Sequence, residues 1–174
     1  MTLSGEISGR ALVFGDDIST DVLAPGRYMK LSEKELAAHC LEAIDPEFAR
    51  RVQKNDILVA GRNFGIGSSR EQAATSLKVL GIGAILAQSF ARIFFRNAIN
   101  IGLLAVAFPE AGEISDLDRL RVYATNGSID NLTTGKNYRV EPLPDHLAAI
   151  IRDGGLIAHL KTRLGNRQPA ASDT

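Results

Sequence analysis

A chain of 174 residues, 45% hydrophobic and 23% charged, suits one domain with a substantial core. Twenty basic and twenty acidic side chains cancel to a formal net charge of zero, so nothing in the total argues for nucleic acid or an anionic membrane as partner, and only a local basic site is left open. No apolar run reaches the ~18 residues of a membrane-spanning helix, and Met1–Glu6 lacks the basic and apolar stretches of a secretory signal, so a cytoplasmic protein is expected.

In chain order, Arg10–Phe14 reads as a strand and Asp16–Asp21 as the polar loop after it, closed by Pro25-Gly26. Ser32 with Glu35 forms a capping box, and Leu36, Ala37, Cys40, Leu41 and Ile44 continue one apolar helical face towards Asp45-Pro46. A second short helix is expected over Pro46–Arg51. Ile57–Ala60 is then an apolar strand running into a glycine loop, followed by a helix over Gln72–Leu80 that ends at Gly81. Ala84–Ala87 and Leu103–Ala107 are further strands, with a helix over Ser89–Asn100 between them. Such alternation implies parallel pairing through crossover helices.

The last third changes character. Leu120–Ala124, Ser128–Leu132 and Asn137–Val140 are short strands separated by Asn126-Gly127 and Thr134-Gly135, which points to antiparallel pairing. Pro144–Arg152 is a helix stopped by Gly154-Gly155, and another turn or helix ends near Leu164. A single domain over residues 1–164 is expected, with 165–174 a loose polar tail.

The run Asn63-Phe64-Gly65-Ile66-Gly67-Ser68-Ser69-Arg70-Glu71 sets two hydroxyls and a guanidinium among glycines. Glycine lets the main chain approach a ligand, and the arginine fork matches a carboxylate bidentately, so chemistry on a small acid is the first hypothesis. From spacing alone, Ser68 and Ser69 serve equally well as caps of the helix that follows. On local sequence Asp21 is more often a turn former or cap than an active-site group, and Asp16 and Asp17 could serve as well. Cys40 stands alone in the sequence, which excludes an internal disulfide or a complete iron–sulfur cluster held by this chain, and a small buried hydrophobe is its expected role. His39, His146 and His159 have no metal-ligand spacing.

Three separated motifs carry a resemblance. They are Asp17-Ile18-Ser19-Thr20-Asp21 with Pro25-Gly26, the glycine loop, and Ser89-Phe90-Ala91-Arg92-Ile93-Phe94-Phe95-Arg96-Asn97-Ala98-Ile99-Asn100. In this order the chain resembles the small subunits of the aconitase-like hydro-lyases, the family of the isopropylmalate dehydratases and homoaconitases. The resemblance implies an α/β fold, a three-layer β/β/α swivelling domain of mixed parallel and antiparallel strands. It also implies a large-subunit partner that carries a [4Fe–4S] cluster, one iron of which acts as a Lewis acid on the substrate hydroxyl and carboxylate.

Carried over residue by residue, the resemblance makes Ser68 the base that removes a proton beside a carboxylate. It makes Arg70 the clamp on that carboxylate and Asp21 a member of the active-site network, with Thr20 assisting. Arg70 and the amides of Gly67, Ser68 and Ser69 are the expected stabilisers of a Ser68 alkoxide. Substrate choice is attributed to the loop after Pro25-Gly26, here Tyr28-Met29-Lys30-Leu31. Lys30 stands where isopropylmalate-type enzymes tend to carry an apolar residue and homoaconitase-type enzymes an arginine. Ile66 and Gln72 stand where many relatives have cysteine and histidine. The expected reaction is isopropylmalate isomerisation by dehydration and rehydration. Homoaconitase or methylmalate-type activity and a carboxylate-binding regulatory module are the alternatives. Arg92, Arg96, Asn97 and Asn100 could line the site or the partner interface, but structural support is the favoured reading, with the asparagines satisfying main-chain groups and the arginines paired with local carboxylates.

Overall fold

The structure, a computed structural model, describes residues 5–165. Four strands, β1 (Glu6–Val13), β2 (Ile57–Ala60), β3 (Ala84–Ala87) and β4 (Leu104–Ala107), lie side by side in parallel, in spatial order β4-β3-β2-β1. The middle strands are unbroken apolar runs because both faces of the sheet are covered. Side chains alternate between faces, so Leu58, Ala60, Ile85 and Ala87 enter one core, while Ile57, Val59, Ala84 and Leu86 enter the other.

The first core is closed by helices. They are α1 (Thr20–Leu23), α2 (Glu33–Ala37), α3 (Phe48–Arg51), α4 (Glu71–Leu80) and α5 (Arg92–Asn100), which contribute Leu23, Leu36, Phe48, Leu77 and Phe94 among others. Fully burying a side chain such as Phe48 or Phe94 contributes about 1.5–3 kcal/mol. The second core is closed by an antiparallel wing of β5 (Arg119–Tyr123), β6 (Ser128–Asn131) and β7 (Asn137–Arg139), through Leu120, Val122, Ile129 and Tyr138. The layers are therefore helices, parallel strands and antiparallel strands, as the mixed β/β/α expectation required. Two last helices, α6 (Asp145–Arg152) and α7 (Leu156–Gly165), follow the wing. The tail expected over 165–174 lies outside the described residues, except for Gly165.

Of the elements that differ from the sequence reading, β1 and α2 differ most. β1 begins at Glu6 rather than Arg10, because its first half pairs antiparallel with β5 while Ala11–Val13 pair parallel with β2. The capping box of Ser32 and Glu35 forms, but α2 stops at Ala37 instead of continuing to Ile44. Leu41 turns left-handed at φ 59°, and its amide donates to Val22 O at 3.0 Å, a contact across the chain that the helix would have forbidden. Leu36, Ala37, Cys40 and Leu41 are buried as expected, whereas Ile44 is 51% exposed. At the entry to the sheet, Arg10 forks onto buried Asp56 (Nη2–Oδ2 2.6 Å, Nε–Oδ1 3.1 Å), and Asp56 also accepts from the Gln53 amide. The pair pins β1 to the turn before β2; with its carboxylate hydrogen-bonded on both oxygens, breaking it from one side would leave a buried charge unpaired.

Candidate functional site

The loops that leave β1, β2 and β3 at their C-terminal ends meet over the helix layer, the usual place for a ligand crevice in parallel α/β sheets. They are knitted together through the backbone. Asp17 N donates to Arg62 O, Thr20 N to Ile66 O, Gly65 N to Ile18 O, Phe64 N to Ser89 O and Ala91 N to Phe64 O, at 2.7–3.0 Å. This last pair explains why α5 begins at Arg92 rather than at Ser89: residues 89–91 are held extended against Phe64. Side chains add to the lacing. Asp16 accepts from the Arg62 amide at 2.7 Å, Asp17 from Asn63 Nδ2 at 2.8 Å, and Ser89 Oγ from the Asn63 amide at 2.9 Å.

Gly65 and Gly67 are needed where they stand. At φ 82°, a Cβ on Gly65 would fall 2.2 Å from the Phe94 ring, and at φ 111°, one on Gly67 would fall 2.9 Å from Thr20 Oγ1. The second glycine allows Thr20 to lie under the loop. There the Ser68 amide donates to Thr20 Oγ1 at 3.0 Å, and the two hydroxyl oxygens are 3.2 Å apart. Thr20 is 2% exposed while Ser68 faces outward, so a buried hydroxyl backs an accessible one.

Neither Ser68 nor Ser69 caps α4. Its N-cap is Arg70, with no side-chain capping bond, which removes the capping alternative. The Ser68 N–H, one of the stabilisers expected for the Ser68 oxygen, donates to Thr20 Oγ1. Ser69 is exposed, and its carbonyl accepts from Asn97 Nδ2 at 3.5 Å.

Arg70 Nη1 donates to Asp21 Oδ1 at 2.7 Å and to Ala24 O at 3.0 Å, and the Gly26 amide donates to the same Asp21 oxygen at 3.2 Å. Two acceptors on one nitrogen fix the guanidinium in the mouth of the crevice. The Arg70 hydrogen bond, and after it the Gly26 amide, hold the Asp21 carboxyl below the usual carboxylate range. Asp21 thus closes its own turn and also orients Arg70, a distinction from Asp16 and Asp17 that local sequence did not reveal.

Of the predicted residues, the structure brings Thr20, Gly67 and Ser68 together at one point, and Asp21 and Arg70 together beside it. Tyr28 is half-buried and stacked on His39, with ring centroids 3.6 Å apart. Lys30 is exposed, with no hydrogen bond or ion pair among the described residues. Arg92 and Arg96 are likewise exposed on α5 and make no ion pair among the described residues, so the carboxylate-paired support read for them is not what is observed. Sequence reasoning missed the partners of His39, and gave Thr20 too little weight. The signal for Thr20 was Gly67, a glycine demanded by a close neighbour.

No group of three or more His, Cys, Asp or Glu side chains among the described residues is arranged to hold a metal ion. Cys40 is buried, and burial pushes its thiol far above the ordinary range, which opposes the thiolate a ligand or nucleophile requires.

Fold and sequence together place the chain: it belongs to the aconitase C-terminal domain family, whose sequence pattern matches residues 17–111. It is 52% identical over 157 residues to the 3-isopropylmalate dehydratase small subunit 1 of Thermotoga maritima, covering 89% of this chain and 95% of that one. It is 51% identical over 162 residues to the methanogen homoaconitase small subunit of Methanothermobacter thermautotrophicus, covering 92% and 94%. The crystal structure of 3-isopropylmalate dehydratase from Methanocaldococcus jannaschii superposes with a TM-score of 0.88 at 42% identity, covering 93% of this chain and 97% of that chain.

Proposed function

We propose that this chain is the small subunit of a two-chain hydro-lyase that interconverts 2- and 3-isopropylmalate by dehydration and rehydration, a step of leucine biosynthesis. The observation that carries the reading is the Ser68 hydroxyl, exposed, free of any capping duty and backed by Thr20 beside a fixed arginine. In this reading Arg70 holds a substrate carboxylate. Ser68 Oγ, as its alkoxide, takes the proton from the carbon next to it, the hydroxyl on the neighbouring carbon leaves as water with a proton drawn from an acid outside this chain, and a carbon–carbon double bond forms. Return of water with the opposite regiochemistry completes the isomerisation, and Ser68 gives its proton back.

Thr20 is the donor to Ser68 Oγ when that oxygen carries negative charge, since an alkoxide only accepts. A buried donor beside a partly exposed oxygen is a place where one hydrogen bond to a charged group matters most. The lone, buried Cys40 does not fit a cluster-ligand set, so a [4Fe–4S] cluster would be held by the large-subunit partner, where it would supply Lewis-acid chemistry on the substrate hydroxyl and carboxylate. A cytoplasmic location goes with the proposal, and no helix among the described residues is long and apolar enough to cross a membrane.

Lys30 supports a second reading. An exposed cation in the substrate-selecting loop suits a further carboxylate, as a homoaconitase or methylmalate-type substrate would offer, and a relative named for homoaconitase is about as similar as the one named for isopropylmalate. The test is anaerobic reconstitution with the large subunit and an absorbance assay for the unsaturated acid from isopropylmalate, homocitrate and methylated malates. Preference for isopropylmalate is the expected result. Ser68→Ala is expected to abolish turnover while substrate still binds; unchanged turnover would refute Ser68 as base, and binding without any turnover in the wild type would leave a regulatory module.

A further inference from the structure

A cleft of ≈ 390 Å³ beside the site is lined by Asp21, Pro25, Gly26, Arg27 and Glu42. Glu42 joins it to a cluster that the reaction itself does not use. Its Oε1 accepts from Arg27 Nη2 at 3.0 Å, and its Oε2 lies 2.7 Å from His39 Nδ1. The His39 ring lies nearly parallel to that of Tyr28, 13° off, with centroids 3.6 Å apart, and the Arg27 guanidinium lies 4.7 Å from the centre of the same tyrosine. One carboxylate therefore holds both groups that hold Tyr28.

Apart from that cluster, the packing of Tyr28 and Met29 against the helix-side core and the Gly26 amide on Asp21, the loop is held only by local bonds. Its single 3₁₀ turn, Gly26–Tyr28, has no side-chain cap, and its backbone bonds reach only three residues: Tyr28 N to Pro25 O, Met29 N to Gly26 O and Leu31 N to Tyr28 O. The Arg27–Glu42 pair is a weak anchor, because Arg27 is 71% exposed and water screens it. Glu42 and His39 are less open, at 27% and 31%, and the stack removes two ring faces from water. Of the two links, the one through His39 carries more of the restraint.

We propose that His39 and Glu42 are positioning residues for substrate choice. They fix Tyr28 from the turns after α2, and so set the position of the run Tyr28–Leu31, with Lys30, to which the functional reading gives substrate choice. The proposal rests on the functional reading above and deepens it: selection is set by residues outside the loop that touches substrate.

Hydrogen exchange tests the tether without reference to any reaction. Glu42→Ala and His39→Leu are expected to speed exchange at the Met29 and Leu31 amides by roughly tenfold, with the amides of α4 unchanged. His39→Phe, which keeps a ring face but no Nδ1, should restore part of the protection. In the reconstituted two-chain enzyme, Glu42→Ala should change the ratio of kcat/KM for isopropylmalate over homocitrate by roughly fivefold, through KM, with kcat for the preferred acid within about twofold. Unchanged exchange overturns the tether, and faster exchange with an unchanged ratio overturns its role in selection. A wild-type complex inert towards every hydroxy acid overturns the functional reading itself, and that is seen before any variant is assayed.

Discussion

In the antiparallel wing, the turns are tied mainly to themselves, although Thr133 and Lys136 also reach Arg119 and Glu113. Asn126 Oδ1 accepts from the Ser128 amide, and Asn131 Oδ1 from the Thr133 and Thr134 amides, all within three residues. The loops over the parallel half hold one another instead. Asp16 reaches Arg62 across 46 residues, Thr20 reaches Ser68 across 48, and Arg70 reaches Asp21 across 49. A turn satisfied locally survives change in its surroundings, whereas loops satisfied mutually keep their geometry only while each partner keeps its own. The second arrangement can fix a hydroxyl and a guanidinium at one point, and that is where the candidate site lies.

The sharpest way to break this contrast is at the site itself. Ser68→Ala should lower turnover of the reconstituted complex by roughly 10²–10⁴-fold while leaving the unfolding midpoint in place. Ile129→Ala in β6 should do the reverse: its buried side chain leaves a cavity costing roughly 2–5 kcal/mol in urea unfolding, with turnover per folded molecule unchanged. Loss of turnover in the wing variant at full folding would mean that the two regions are not separable.

A pair of glycines sharpens the same contrast. Gly65→Ala meets the Phe94 ring at positive φ and should cost roughly 2–5 kcal/mol, left-handed strain added to overpacking. Gly135 in the wing has φ 75° but open space around it, so Gly135→Ala should cost only about 1–2 kcal/mol. Equal costs in denaturant melts would show that close approach adds nothing to backbone strain.

The smallest effect concerns pH. Asp21 titrates below its ordinary value in the folded chain, so its contribution to the loop is fully present above the unfolded carboxylate pKa of about 4 and is lost as pH falls through the lower folded value. The stability difference between the wild type and Asp21→Asn should therefore be flat from pH 7 down to about 4 and shrink only below it. Because Asp21 is 71% exposed, solvent screening keeps this difference small, and a change centred near neutrality would point to a different group.

Much of the fold was legible because it rests on short-range patterns. Ile57–Ala60 and Ala84–Ala87 are apolar runs of strand length, Ser32 and Glu35 form their capping box, and Gly81 ends α4 in the left-handed conformation, as its position suggested. The misreadings came from distant partners. Nothing near Glu6 shows that β5 will pair with it, and nothing near Leu41 shows that Val22 will take its amide. The site divides in the same way. Ser68, Arg70 and Asp21 were legible through the family resemblance, but the hydroxyl behind Ser68 and the tether behind Tyr28 are contacts between residues far apart or of ordinary type, which no local pattern marks.

β1 is the strand on which both halves depend, pairing with β2 through its second half and with β5 through its first. For a chain emerging from the ribosome, the parallel strands and the loops of the candidate site are all synthesised by Ala107, before any of the wing exists. During that interval one flank of β1 has unpaired amides and carbonyls, and the apolar face carrying Ile57, Val59 and Leu86 is uncovered. Were the parallel half to fold in that interval, the loops of the candidate site would form before the wing protects that face, and closure of β5 on Glu6–Arg10 would end the exposure.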